Sequence, residues 1–172
     1  MVDHGRHKAE GFDVLAREIP HKGGRTFGYR VSDGRASIAY LPDHGPSALG
    51  PGPDGWGEYH DAALELADGV DLLIHDAQHT AAELPAVKHY GHSAANYAIG
   101  LAERSRAQRV LLFHHDPGRT DDLRRAMRDD WERIKEQSSD GEAEVVVAGV
   151  ASVAPARVLS SSRIRVCTSK DP

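Results

Sequence analysis

Cys167 is the single cysteine among 172 residues. Neither a disulfide framework nor a thiolate metal site can be built from it. A strong positive charge is missing too. The net charge of -5 argues against a general nucleic-acid or membrane-surface binder, although it leaves room for a local basic patch. No apolar run approaches the length of a membrane span. The opening MVDHGRHKAE is charged and has no apolar centre, so it does not read as a signal peptide. The expectation is a soluble cytoplasmic protein.

Hydrophobic residues make up 40% and charged residues 27% of the chain, and the length suits one ordinary domain with a real core. Eleven histidines stand against three phenylalanines. Histidine in excess with almost no cysteine points to metal or acid–base chemistry through nitrogen and oxygen ligands.

Short apolar runs predict strands at Phe12–Ile19, Phe27–Val31, Ser37–Leu41, Val70–His75, Arg109–Phe113 and Glu144–Ala148. Helical spacing predicts helices over Glu58–Ala67, Ser93–Arg104 with Ser93 as N-cap, and Thr120–Glu136 with Thr120 as cap. The first three strands lie close together around Asp33-Gly34 and read as an antiparallel meander. The later strands alternate with helices, which gives an α/β fold. Pro46–Gly57 is a long Gly/Pro loop, of a kind that often carries function and as often merely crosses the surface. The pattern decays after Gly149, so residues 1–150 read as the domain and 151–172 as a poorly ordered tail.

The informative residues stand at strand ends. His21 follows the strand ending at Ile19, Asp43 follows SIAYL and a proline, and His114 follows VLLF. In an α/β sheet such positions converge on one edge, where ligands bind. Two imidazoles and a carboxylate there make a candidate site for zinc, manganese or iron. His92 precedes the helix at Ser93, where it can reach the same cleft as a proton donor. Asp76, ending DLLIHD, is read as a cap or as the orienter of a neighbour. His4, His7, His60, His79 and His89 have no framing pattern and are read as solvated surface. The arginines at 104, 106 and 109 are read as charge at a helix end.

The segments IPHKGGRTFGYRV, IAYLPDHGP, DGVDLLIHDAQHT and GHSAANYAIGLAERSRAQRVLLFHHDP resemble the metallo-β-lactamase superfamily. They are most similar to its phosphodiesterase branch, with the tRNA 3′-processing endonuclease (ribonuclease Z) and the cyclic-phosphate phosphodiesterase of phosphonate breakdown. The likeness covers most of Phe12 to Pro117. It implies that His21 and His114 are metal ligands, that Asp43 bridges two metals, and that His92 is the general acid. Zinc is the implied ion of the two-metal site, with manganese or iron as substitutes. Twenty-two positions separate His21 from Asp43, and the same number separates His92 from His114.

The family's His-x-His-x-Asp-His run is absent from this chain. HGRH and HDAQH have the wrong spacing and no following Asp-His. The resemblance therefore implies the C-terminal half of an αββα sandwich, a mixed sheet with helices on one face, as a truncated gene product or one half of a split site. Each metal would find only two protein ligands, whereas a catalytic zinc normally keeps three. The sheet face left uncovered would need an N-terminal half or a second copy of the chain. The substrate would be a phosphodiester or another small molecule. Two functions follow: a phosphodiesterase-like metal-dependent hydrolase, inactive when alone, or a non-catalytic metal-binding or interaction module that keeps the fold.

Overall fold

The computed structural model describes residues 4–118, 120 and 144–147. Seven strands form one sheet: β1 (Gly5–Ala9), β2 (Phe12–Ile19), β3 (Thr26–Ser32), β4 (Ser37–Leu41), β5 (Leu72–Asp76), β6 (Arg109–Phe113) and β7 (Glu144–Val147). Their spatial order is the order in the chain. Pairing is antiparallel from β1 to β4 and parallel from β4 to β7. The sheet is thus mixed and the fold α/β. The helices are α1 (Asp61–Ala67), a single turn α2 (Leu84–Val87) and α3 (Ala95–Ser105). None of the described helices is long and apolar enough to cross a membrane.

The meander turns where expected. Asp33 Oδ1 accepts from the backbone N–H groups of Arg35 and Ala36, which closes the β3–β4 turn locally. Parallel pairing begins at β4 because the chain must then cross over, and α1 and α3 supply the crossovers. Both helices pack on the same face of the sheet and against each other. Leu15, Ile19, Ala39, Leu41, Leu73, Val110 and Leu112 point into that layer and meet Ala63, Leu66, Ala98, Leu101 and Ala102 from the helices. Gly28 lets α1 come close, since a Cβ there would lie 2.7 Å from Leu66 Cδ1.

The opposite face alternates with this one. Ile38, Tyr40 and Phe113 are 43%, 36% and 39% exposed. Val14, Val31, Ile74 and Leu111 beside them are half-buried. Tyr40 and Phe113 meet edge to face, with ring centroids 6.1 Å apart. Among the described residues no layer covers this face.

Three differences from the sequence reading have physical causes. β1 is an edge strand of polar residues, GRHKA, held through its backbone ladder to β2 rather than by apolar alternation. The helix predicted from Ser93 starts at Ala95, with Ala94 in the N-cap position and no side-chain cap. Ser93 is spent elsewhere: its hydroxyl donates to the carbonyl of His44 at 2.5 Å. The α1 helix begins at Asp61 rather than at Glu58, with His60 as N-cap. The helix expected over Thr120–Glu136 and the tail expected from 151 to 172 lie outside the described residues.

Candidate metal centre

Because β2 is antiparallel to β3, and β3 to β4, strands β2, β4, β5 and β6 all run the same way. Their carboxyl ends share one edge of the sheet. Asp43 follows β4, Asp76 ends β5, His114 follows β6, and His21 follows β2. This is the edge at which open α/β sheets bind ligands.

Asp43, Asp76, His92 and His114 each place one ligand-type atom there, all within 4.8 Å of one another. Asp76 is the buried centre of the group, with its side chain fully shielded. Its Oδ2 lies 2.6 Å from Nδ1 of His92 and 3.4 Å from Nδ1 of His114. The backbone N–H groups of His44, Gln78 and Ser93 also point at its carboxylate. Burial alone would raise the Asp76 pKa. The hydrogen bonds from His114 and His92, the charge of His92 and the Gln78 amide outweigh it, and the pKa falls to about 2. His114 also approaches Asp43 Oδ1 at 3.2 Å. The hydrogen bond to Asp76 raises the His114 pKa against the effect of burial, and the charges of Asp76 and Asp43 add to the rise.

The backbone is strained at Asp43 and His114. Asp43 has φ 44° and His114 φ 58°. A non-glycine residue in this region costs on the order of 1–3 kcal/mol and persists only where its surroundings hold it.

The four residues singled out from the sequence lie on this edge in two arrangements. Asp43 and His114 are in the four-residue group. His92, expected beside the metal ligands, is inside it. His21 is outside it: its Nδ1 lies 2.7 Å from the carbonyl of Gly91, and its ring centroid is 5.1 Å from that of His92. A carbonyl can only accept, so His21 Nδ1 carries the hydrogen and Nε2 keeps its lone pair in the neutral ring. That is the tautomer a metal ligand needs. Asp76 contacts His92 as the orienting residue the sequence suggested.

Two histidines read as solvated surface are not. His79 is 4% exposed, its backbone bridged to Ala94. His60 is half-buried and lies 3.0 Å from His44. His44, which directly follows Asp43, carries no framing pattern of its own in the sequence. It is fully buried and 2.8 Å from His75. A histidine next to a ligand-type residue at a strand end was the only available signal. The arginines at the end of α3 make specific pairs: Arg104 with Asp54 at 3.2 Å, and Arg106 with Asp68 at 2.6 Å. Arg104 also lies 4.4 Å above the ring of Tyr59, and its pair with Asp54 ties the Pro46–Gly57 loop to α3.

Residues 1–115 match the family model described as the beta-lactamase superfamily domain. The chain belongs to the metallo-β-lactamase superfamily. It is 41% identical over 56 residues to the ribonuclease Z of Anoxybacillus flavithermus, a match covering 33% of this chain and 18% of that enzyme. The metallo-β-lactamase fold protein YhfI of Bacillus subtilis superposes with a TM-score of 0.58 at 20% identity, covering 83% of this chain and 49% of that one. The short form of human tRNase Z gives 0.51 at 28% identity, covering 64% and 38%. In each case the match spans less than half of the relative's own length.

Proposed function

We propose that the protein is the C-terminal half-site of a metal-dependent hydrolase that cleaves phosphodiesters. The observation that carries this reading is the convergence of Asp43, Asp76, His92 and His114 within 4.8 Å at the carboxyl ends of the strands. Their donor set of imidazole and carboxylate suits zinc first, with manganese or iron as substitutes. Asp43 and His114 would hold the ion, and His21 would offer Nε2 from the end of β2. A bound divalent ion supplies Lewis-acid polarisation and lowers the pKa of water. Asp76 fixes the ring of His92 through Nδ1, which leaves Nε2 to deliver a proton to the departing oxygen. The phosphodiester assignment rests on the likeness to ribonuclease Z.

This chain carries no His-x-His-x-Asp-His run, so the remaining ligands come from an N-terminal half, which also covers the open face of the sheet. Alone, with zinc or manganese added, the chain should hydrolyse a generic phosphodiester little or not at all. Co-expression with a matching N-terminal half should restore turnover. Turnover by the lone chain that survives Asp43→Ala would place the site elsewhere. The missing run also favours a second reading, a non-catalytic metal-binding module. Failure of every N-terminal half to restore turnover, with metal still bound, would select it.

A further inference from the structure

Behind the candidate metal centre lies a second set of imidazoles that the hydrolytic reading does not use. His75 Nδ1 is 2.7 Å from the backbone carbonyl of Asp76. His75 Nε2 is 2.8 Å from His44 Nδ1. His44 Nε2 is 3.0 Å from His60 Nε2. His44 and His75 are fully buried and pack on Tyr97, with ring centroids 5.4 and 5.6 Å from it.

The direction of this chain is fixed at one end. A carbonyl oxygen only accepts, so His75 Nδ1 must carry a hydrogen. His44 and His75 are both fully buried, and a buried imidazole keeps its neutral form, so each ring carries one hydrogen. His75 Nε2 is then bare and accepts from His44 Nδ1–H. His44 Nε2 is bare in turn and accepts from His60 Nε2–H. Every other assignment of single hydrogens sets two lone pairs, or two hydrogens, against each other in a dry core, a cost of about 1–3 kcal/mol.

We propose that His60, His44 and His75 form a one-way hydrogen-bonded brace that positions Asp43 and Asp76. The connectivity gives the brace this task. His44 follows Asp43 and His75 precedes Asp76, so the His44–His75 bond joins the loop after β4 to the end of β5, one residue from each carboxylate. The His44 N–H bonds the Asp76 carboxylate at 3.2 Å, and its carbonyl takes the Ser93 hydroxyl. Asp43, held at φ 44°, needs such a support to stay in place. His60 closes the brace from the N-cap of α1 and is not one of the four clustered residues. All three are positioning residues. That they serve a metal site rests on the function proposed above; the brace itself does not.

The first test is imidazole NMR on the full chain with 15N-labelled histidine at neutral pH. His44 and His75 should appear as Nδ1–H tautomers and His60 as the Nε2–H tautomer. Either core ring as Nε2–H or as imidazolium would overturn the one-way chain. The second test separates a donor from a space-filler at the far end. His60→Leu removes the donor, and His60→Gln restores an N–H. His60→Leu should speed amide exchange at His44 at least tenfold and weaken the binding of Zn2+ by about 10–100-fold, the scale for losing support behind a ligand. His60→Gln should stay within about threefold of the parent, inside the context spread of such effects. Unchanged exchange in His60→Leu would overturn the brace. Equal loss in both variants would mean that His60 only fills space, and would also overturn it. A parent that binds no Zn2+ but shows the expected tautomers and exchange would overturn the metal reading and leave the brace standing.

Discussion

Nδ1 of His92 lies 2.6 Å from Oδ2 of a fully buried Asp76. The pair sits at the end of a strand whose carboxyl edge also carries His114. Asp76 is held at about 2 by its partners in spite of burial. A depressed carboxylate contributes stability that is present above its unfolded pKa, near 3.8, and is lost as pH falls through 2. The shift corresponds to about 2 kcal/mol. Urea unfolding followed between pH 5 and 2 should therefore show an acid-labile component of that size. Asp76→Asn should remove the component and cost about 3 kcal/mol at neutral pH, since several donors lose their charged acceptor. A variant with the parent's stability at pH 7 would refute the central role of this carboxylate.

Metal binding should strengthen as pH rises through the range in which His114 loses its proton. His114 has a raised pKa because Asp76 and Asp43 favour its protonated form. An ion must displace that proton. Below the raised pKa the proton competes, and above it the ligand is free. Calorimetric titration with Zn2+ in buffers of different ionisation enthalpy should detect proton release below the raised His114 pKa. Binding that weakens as pH rises across this range would exclude His114 as a ligand.

Gly91 is the hinge-pin between two site loops. Its φ is 87°, its carbonyl takes the His21 ring, and a Cβ there would lie 2.6 Å from Lys22 Cβ and 2.9 Å from His21 Nδ1. Gly91→Ala combines backbone strain with overpacking and should cost about 3 kcal/mol. Chemical denaturation measures the loss. Gly34→Ala is the control: its φ is also positive, at 85°, but a Cβ there meets nothing within 4 Å. It should cost roughly 1–2 kcal/mol, the strain alone.

The strands were legible where apolar alternation and a turn signal coincided. Phe12–Ile19, Ser37–Leu41 and Arg109–Phe113 have the same bounds in the sequence reading and in the structure. β1 was not legible because an edge strand of five mostly polar residues carries no period-two signal. The strand-end rule found Asp43 and His114, since it depends only on chain direction. It could not find the buried His60–His44–His75 chain. His60 lies 16 residues from His44 and His75 lies 31, and only the packing of α1 and β5 around Asp43 brings them together. His79 was misread for the same reason: polarity suggested solvent, while tertiary packing buried the ring.

His92→Ala should separate protonation from metal binding. The ring reaches the cluster but is held by Asp76 rather than by Asp43. In the complemented enzyme the substitution should leave metal content unchanged and slow turnover by about a hundredfold or more, the scale for losing a general acid. The loss should be smaller for a substrate whose leaving group needs no proton. Equal slowing for good and poor leaving groups, or loss of metal, would assign His92 to the metal instead.

The sheet face that no described residue covers should drive association of the isolated chain. Ile38, Tyr40 and Phe113 are substantially exposed, and half-buried Val14, Val31, Ile74 and Leu111 make the apolar area continuous. Contiguous apolar surface of this kind marks an interaction site. Sedimentation at micromolar concentration should show a dimer or a larger species. Tyr40→Glu should shift it to monomer without unfolding it, because the side chain faces away from the layer that Leu41 and Ala39 share with α1. A matching N-terminal half should do the same by occupying the face. A parent chain that sediments as a monomer and binds no hydrophobic dye would mean that this face is already covered by the chain itself.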